Sequence, residues 1–202
     1  MIRSCVALFI VAAAPAAMAQ SLSPAPTPGL WESRTKMLVN GQDMGEMMRK
    51  AQEEMLKSVP PEQRKQMAEM MRAHGGGGMM GGTTQDCLTP QEAARATDLK
   101  RMFADMHKEQ PGCRFEPIKA GGSSATFKVS CKDPEGFTGD GQGEIRILDA
   151  KSTTWHYEGT GRMQGMDRMP PGMKAPGGAP GAVKIQVDST SRWVAASCGN
   201  VK

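Results

Sequence analysis

The sequence predicts a mainly β protein with helical insertions. Its strands form an antiparallel sheet, curled into a barrel-like or sandwich-like shape and held by two disulfides. Three observations carry that expectation. Apolar and polar residues alternate in several short stretches separated by turn residues. Helical spacing is confined to two places, within 43–74 and between about 88 and 107. Four cysteines remain once an N-terminal leader is set aside, an even number that can pair off in an exported chain.

The leader is residues 1–19. Met1-Ile2-Arg3 is a short positive start, and Val6 to Ala14 is an apolar run. Ala17-Met18-Ala19 supplies an A-x-A cleavage signature before Gln20. The apolar run is too short to cross a bilayer as a helix. A signal peptide cleaved near Ala19 therefore predicts a periplasmic or secreted protein with no transmembrane segment in the mature chain. Cys5 precedes the apolar run and leaves with it, so Cys87, Cys113, Cys131 and Cys198 remain. Residues 20–28 are rich in Ser and Pro and read as a flexible leader. Residues 29–202 read as a single β-rich domain.

Gly29 to Val39 alternates and reads as the first strand, with Trp31, Ser33, Thr35 and Met37 on one face. Asn40-Gly41 is a turn pair. The period then changes. Asp43 is placed to cap a helix in which Met44, Met47, Met48, Ala51 and Met55 recur at helical spacing. Pro60-Pro61 ends that helix and opens another, carrying Met67, Met70 and Met71, until the glycines at 75–78 stop it. Residues 43–74 thus read as a Met-rich helical hairpin inserted into a β protein, with its methionines at core spacing. In Cys87-Leu-Thr-Pro-Gln-Glu92, Thr89 and Glu92 form a capping box and Pro90 suits the first helical position. Leu99, Met102, Phe103 and Met106 continue at helical spacing.

Cys113 to Lys119 and Ala125 to Cys131 alternate on either side of a Gly/Ser loop. A hairpin centred on Gly122 sets Cys113 opposite Cys131, Phe115 opposite Val129 and Pro117 opposite Phe127. That spacing suits a disulfide and leaves Cys87 to Cys198. No C-x-x-C spacing supports a cysteine-ligated metal instead. Gly143 to Leu148 and Thr153 to Glu158 read as a further hairpin, with Gly139-x-Gly-x-Gly143 as a turn before it. Val183 to Val187 and Ser191 to Ala195 read as two closing strands.

Pro28-Gly-Leu-Trp-Glu32, Cys87-Leu-Thr-Pro90, Cys113, Cys131 and Arg192-Trp193 up to Cys198 together resemble a family of exported bacterial proteins, domain of unknown function 3617. The Met-rich helix after Pro-Pro-Glu-Gln-Arg64 is similar to segments of that family. The resemblance covers essentially the whole mature chain. It implies a periplasmic or envelope location and brings no activity or catalytic residues. Gly29-Leu-Trp31 also resembles the G-x-W that opens lipocalin-type barrels, where an Arg on a late strand packs over the Trp. Arg192 takes that part if the likeness holds. The plainer reading makes Trp31 and Trp193 core residues.

For function, the charge balance is informative by what it excludes. A net charge of +4 with mixed signs along the chain holds no basic block suited to nucleic acid. His74, His107 and His156 fall in no hydrolase or metalloprotease motif, and two disulfides leave no free thiol. The sequence therefore points away from catalysis and needs no cofactor. It favours binding of an apolar ligand, a lipid or an envelope protein, with the Met-rich hairpin as a lid or docking face. The alternative is a Cu(I) or Ag(I) site built from Met163, Met166 and Met169 with His74, because thioethers are soft ligands.

Overall fold

The computed structural model describes residues 21–60, 62–64, 82–133, 136–164 and 181–201. The expected signal peptide and the expected second half of the helical hairpin, with the glycines at 75–78, lie outside the described residues apart from a helical stretch at 62–64. Eight strands form one antiparallel sheet: β1 (Gly29–Val39), β2 (Gln42–Asp43), β3 (Gly82–Leu88), β4 (Cys113–Gly121), β5 (Ser124–Lys132), β6 (Phe137–Asp149), β7 (Ser152–Met163) and β8 (Ala182–Ala195). Accompanying them among the described residues are the helices α1 (Met44–Ser58), α2 (Pro90–Arg95) and α3 (Leu99–Glu109).

Strands β4 to β8 run as a meander, and β8 returns to pair with β1. The other edge of β1 takes the short β2 at one end and β3 along the rest. The antiparallel sheet curls as expected, but it does not close, so a barrel, lipocalin-like or otherwise, is corrected to an open curled sheet. The path of the chain explains this. Closure needs a β3–β4 ladder, and α2 and α3 fill the connection between those two strands. The free edge at β4 carries Pro117, which has no N–H to donate, and a register shift between Pro117 and Lys119.

The β4–β5 hairpin has the expected register: Cys113 faces Cys131, Phe115 faces Val129 and Pro117 faces Phe127. The Cys113–Cys131 disulfide forms with its Cα atoms 4.0 Å apart. Cys87–Cys198, with Cα atoms 5.4 Å apart, ties the end of β3 to the tail after β8. Val183–Val187 and Ser191–Ala195 are not two strands but parts of the continuous β8. Asp188, Ser189 and Thr190 stay extended because β1 and β7 satisfy the backbone on both sides.

Because side chains alternate, the odd-numbered residues of β1 and β5–β8 share the inner face. Gly139, Gly141 and Gly143 of β6 belong to it, so they are not a turn. A turn would spread them over different directions, whereas a spacing of two keeps all three on one side. Gly139 lies opposite Gly161, Gly141 opposite Gly159, and Gly143 opposite Tyr157. The missing side chains make room for rings lying over the sheet. A Cβ on Gly143 would meet the Phe127 ring at 2.2 Å, and one on Gly159 the Tyr157 hydroxyl at 2.3 Å. Phe127 is fully buried there, with Phe103 of α3 edge-on at 5.5 Å.

The helices begin where the sequence places them. Asp43 accepts from the Glu46 amide, and Thr89 and Glu92 complete a reciprocal capping box. Asp98 caps α3, which turns Leu99, Met102, Phe103 and Met106 onto the inner face of the sheet. The core reading of the α1 methionines is corrected in part. No residue of α1 is fully buried, and Met48 and Met55 are about half exposed. Only Met44, at the first turn, packs on the Val39–Val183–Ile185 cluster.

Residues 21–28 are not a flexible leader. The Leu22 side chain is buried with Leu99, Ala125 and Ile147. The backbone amides of Leu22, Ser23 and Thr27 donate to the carbonyls of Thr97, Gly122 and Ala150. Burial of one leucine outweighs the disorder favoured by its Ser- and Pro-rich neighbours.

Two outcomes check this architecture in urea denaturation. Gly143→Ala lowers stability by about 1–3 kcal/mol, because the added methyl has no space against Phe127. Gln142→Thr, on the outer face of the same strand, stays within about 0.5 kcal/mol. Leu22→Ala costs about 2–4 kcal/mol, whereas a truly flexible leader would register almost nothing.

Candidate functional site

The candidate site is the part of the inner face left open between α3 and the first turn of α1. Its anchor is the junction of the N-terminal strap with β1 and β8. Gly29 has φ +133°, in the region that favours glycine. A side chain there would strike the Ala195 carbonyl oxygen at 2.2 Å and the Trp193 indole at 2.8 Å. Both indoles hold the strap: Trp31 Nε1 donates to the Thr27 carbonyl (2.9 Å) and Trp193 Nε1 to the Pro28 carbonyl (3.0 Å). Lys151 Nζ lies 4.3 Å from the centre of the Trp193 ring. The Gly-x-Trp and Arg-Trp signatures therefore build one joint.

Arg192 does not pack over Trp31. It lies opposite Glu32 on the outer face, while Trp31 and Trp193 point inward. Its guanidinium donates through Nε (3.1 Å) and Nη2 (2.8 Å) to Glu32 Oε1, which Arg34 also approaches at 3.3 Å. The Arg192 hydrogen bond holds the Glu32 carboxyl below the usual glutamate range. The lipocalin arrangement fails here because one residue of register decides the face.

Inside this joint lies a cavity of about 280 Å³. Leu22 and Pro26 of the strap form one wall, and Leu88 of β3 another. Trp31, Ile145 and Ile147 form the floor. The polar groups are few. The Ser33 and Ser191 hydroxyls bond each other at 2.7 Å, and Thr153 and Asp86 are the other polar residues of a lining that Cys87 and Ala96 complete. Beyond them, Thr35 and Ser189 repeat the hydroxyl pair at 3.0 Å. Trp155 stacks on Tyr157 at 6.2 Å, and burial raises the Tyr157 phenol above its ordinary range. The cavity can hold apolar matter, and its one charged lining residue is Asp86.

Of the residues expected for a soft-metal site, one is described. Met163 packs on the Val39–Val183–Ile185 cluster. Met166, Met169 and His74 lie outside the described residues. Among the described residues, no three His, Cys, Asp or Glu side chains are grouped to hold a metal. His107 is exposed and bonds the Cys113 carbonyl through Nδ1. His156 is on the outer face, where its Nδ1 lies 2.6 Å from Asp188 Oδ1; this hydrogen bond holds the Asp188 carboxyl low. The disulfide pairs are joined as expected.

What sequence reading missed is the cavity itself. Its wall comes from a segment read as a leader, and the only signal was Leu22 among small and polar neighbours.

The comparisons place the chain in one context. A family model described as protein of unknown function (DUF3617) matches residues 26–198. No curated protein and no solved structure matches. Among the described residues, no helix is long and apolar enough to cross a membrane.

The Glu32 pair gives a pH prediction. A carboxyl held low in the fold contributes stability above its unfolded value, and that contribution is lost as pH falls through the folded one. Wild type should therefore lose part of its thermal stability as the pH drops below about 4.3. Glu32→Gln, starting lower at neutral pH, should lose less over the same range in a melting series.

Proposed function

The chain belongs to the DUF3617 family of proteins of unknown function, and from that premise we propose that it is a non-catalytic binding protein for an apolar chain. The ligand lies in the cavity at Trp31. The proposal rests on that cavity: a pocket of about 280 Å³ on the inner face, with an apolar floor and two hydroxyls bonded to each other. The floor of Trp31, Ile145 and Ile147 asks nothing of the ligand by way of hydrogen bonds, and the remaining polar residues are Asp86 and Thr153. Its volume sits at the lower end for small-molecule sites, which fits one alkyl chain better than a fused-ring ligand.

An extracytoplasmic setting supports this reading, since two disulfides persist in oxidising compartments. Apolar chains there are held either by membranes or by proteins that shield them from water. The strap supplies that shielding by covering the chamber through Leu22 and Pro26.

Titration with 1-decanol, followed by calorimetry and by tryptophan emission, tests the proposal. Binding at micromolar concentration with an emission change is expected. Ser33→Leu puts an isobutyl group into the chamber and should abolish binding while the protein stays folded by circular dichroism. Absence of decanol binding by wild type, or undiminished binding by the filled variant, would overturn it.

A further inference from the structure

The chamber at Trp31 makes no use of the methionines of α1. The described methionines differ in their surroundings. Met37, Met44 and Met163 pack on the Val39–Val183–Ile185 cluster, Met102 on the cluster around Leu99, and Met106 on the one around Phe127. Met48 and Met55, by contrast, are 45% and 54% exposed. Seven residues separate them, so they share one side of the helix, about 10 Å apart along its axis.

The helix that carries them asks little of the sheet. Asp43 caps its first turn, and the Glu46–Lys50 and Glu54–Lys57 pairs lie along its exposed surface. Of its residues, Met44 alone joins a core cluster. Chemistry further along α1 therefore has no core packing to break.

A thioether reached by solvent is open to two-electron oxidants. Its sulfur lone pair attacks one oxygen of hydrogen peroxide, and the O–O bond breaks. That oxygen stays on sulfur as the sulfoxide, and the other leaves with both protons as water. Sulfur gives up the two electrons that the peroxide takes, and its carbon bonds stay intact. The product is polar. Among Phe127 and its neighbours it would be stranded without a hydrogen-bond donor, whereas at residues 48 and 55 water can solvate it.

We propose that Met48 and Met55 form an oxidation site for hydroperoxides, at which α1 exchanges an apolar face for a polar one while the sheet keeps its structure. Two observations carry this: the exposure of these two thioethers against the packing of the other five, and the single core anchor of the helix at Met44. The proposal is independent of what the chamber binds.

Dilute hydrogen peroxide, followed by tandem mass spectrometry that assigns sulfoxide to each residue, tests it. In the folded protein, sulfoxide should accumulate at Met48 and Met55 about five to ten times faster than at Met37, Met102, Met106 and Met163. In urea the rates should converge, because the ordering comes from the fold. The double variant Met48→Gln with Met55→Gln imitates the polar product and should melt within about 2 °C of wild type. Folded-state rates within about threefold of those at the packed methionines, or an ordering that survives unfolding, would overturn the assignment of the site. A larger loss of melting temperature in the double variant would overturn the claim that the sheet tolerates the change.

Discussion

The rest of the structure depends on rings lying flat on bare backbone. Phe127, Tyr157 and Phe137 need the space that five glycines of β6 and β7 leave on the inner face. Gly, with no side chain, weakens a strand in isolation. Here the weakness is offset because each glycine is a seat for an aromatic ring, which buries far more apolar area than the side chain it replaces. A chain with only 4% aromatic residues can build a core this way, because its few rings are placed at the centre.

The glycine strip also explains why the sheet curls without closing. Rings fill the middle of the inner face, and α3 lies over the β4–β6 side with Phe103 and Met106. Among the described residues, the other side receives Met44 of α1 and the strap. The uncovered zone between these two lids is where the cavity forms. Cys87–Cys198 fixes its rim by holding β3 to the tail, and the two indoles fix its wall by holding the strap. The candidate site is thus a by-product of incomplete coverage, made permanent by covalent and hydrogen-bonded ties.

Much of this was legible in the sequence, for reasons that are local. The register of the Cys113–Cys131 hairpin follows from counting outward from Gly122, and both disulfides follow from it. The caps at Asp43 and Thr89 depend on three or four neighbouring residues and were readable for that reason. What was not legible depends on partners distant in the chain. Ser189 and Thr190 look like a break until β1 and β7 are seen on either side of them. Gly139, Gly141 and Gly143 look like a turn until Phe127 and Tyr157 are laid over them. Leu22 looks like part of a leader until Leu99 and Ile147 meet it. The α1 methionines have core spacing, but spacing cannot say whether anything lies opposite.

Among the described residues, the open sheet ends on two strands with one unpaired side each, and they are not equivalent. Along β4, Pro117 removes a donor and the irregularity beside it breaks the row of backbone groups that a neighbouring strand would need. The outer edge of β3 carries neither obstacle in its seven residues. Molecules meeting edge to edge through β3 would form a symmetric pair, and the next free edge on each side would be a β4 that cannot template further growth. The interruption at Pro117 thus makes the β4 side of the open sheet a poor template for strand addition.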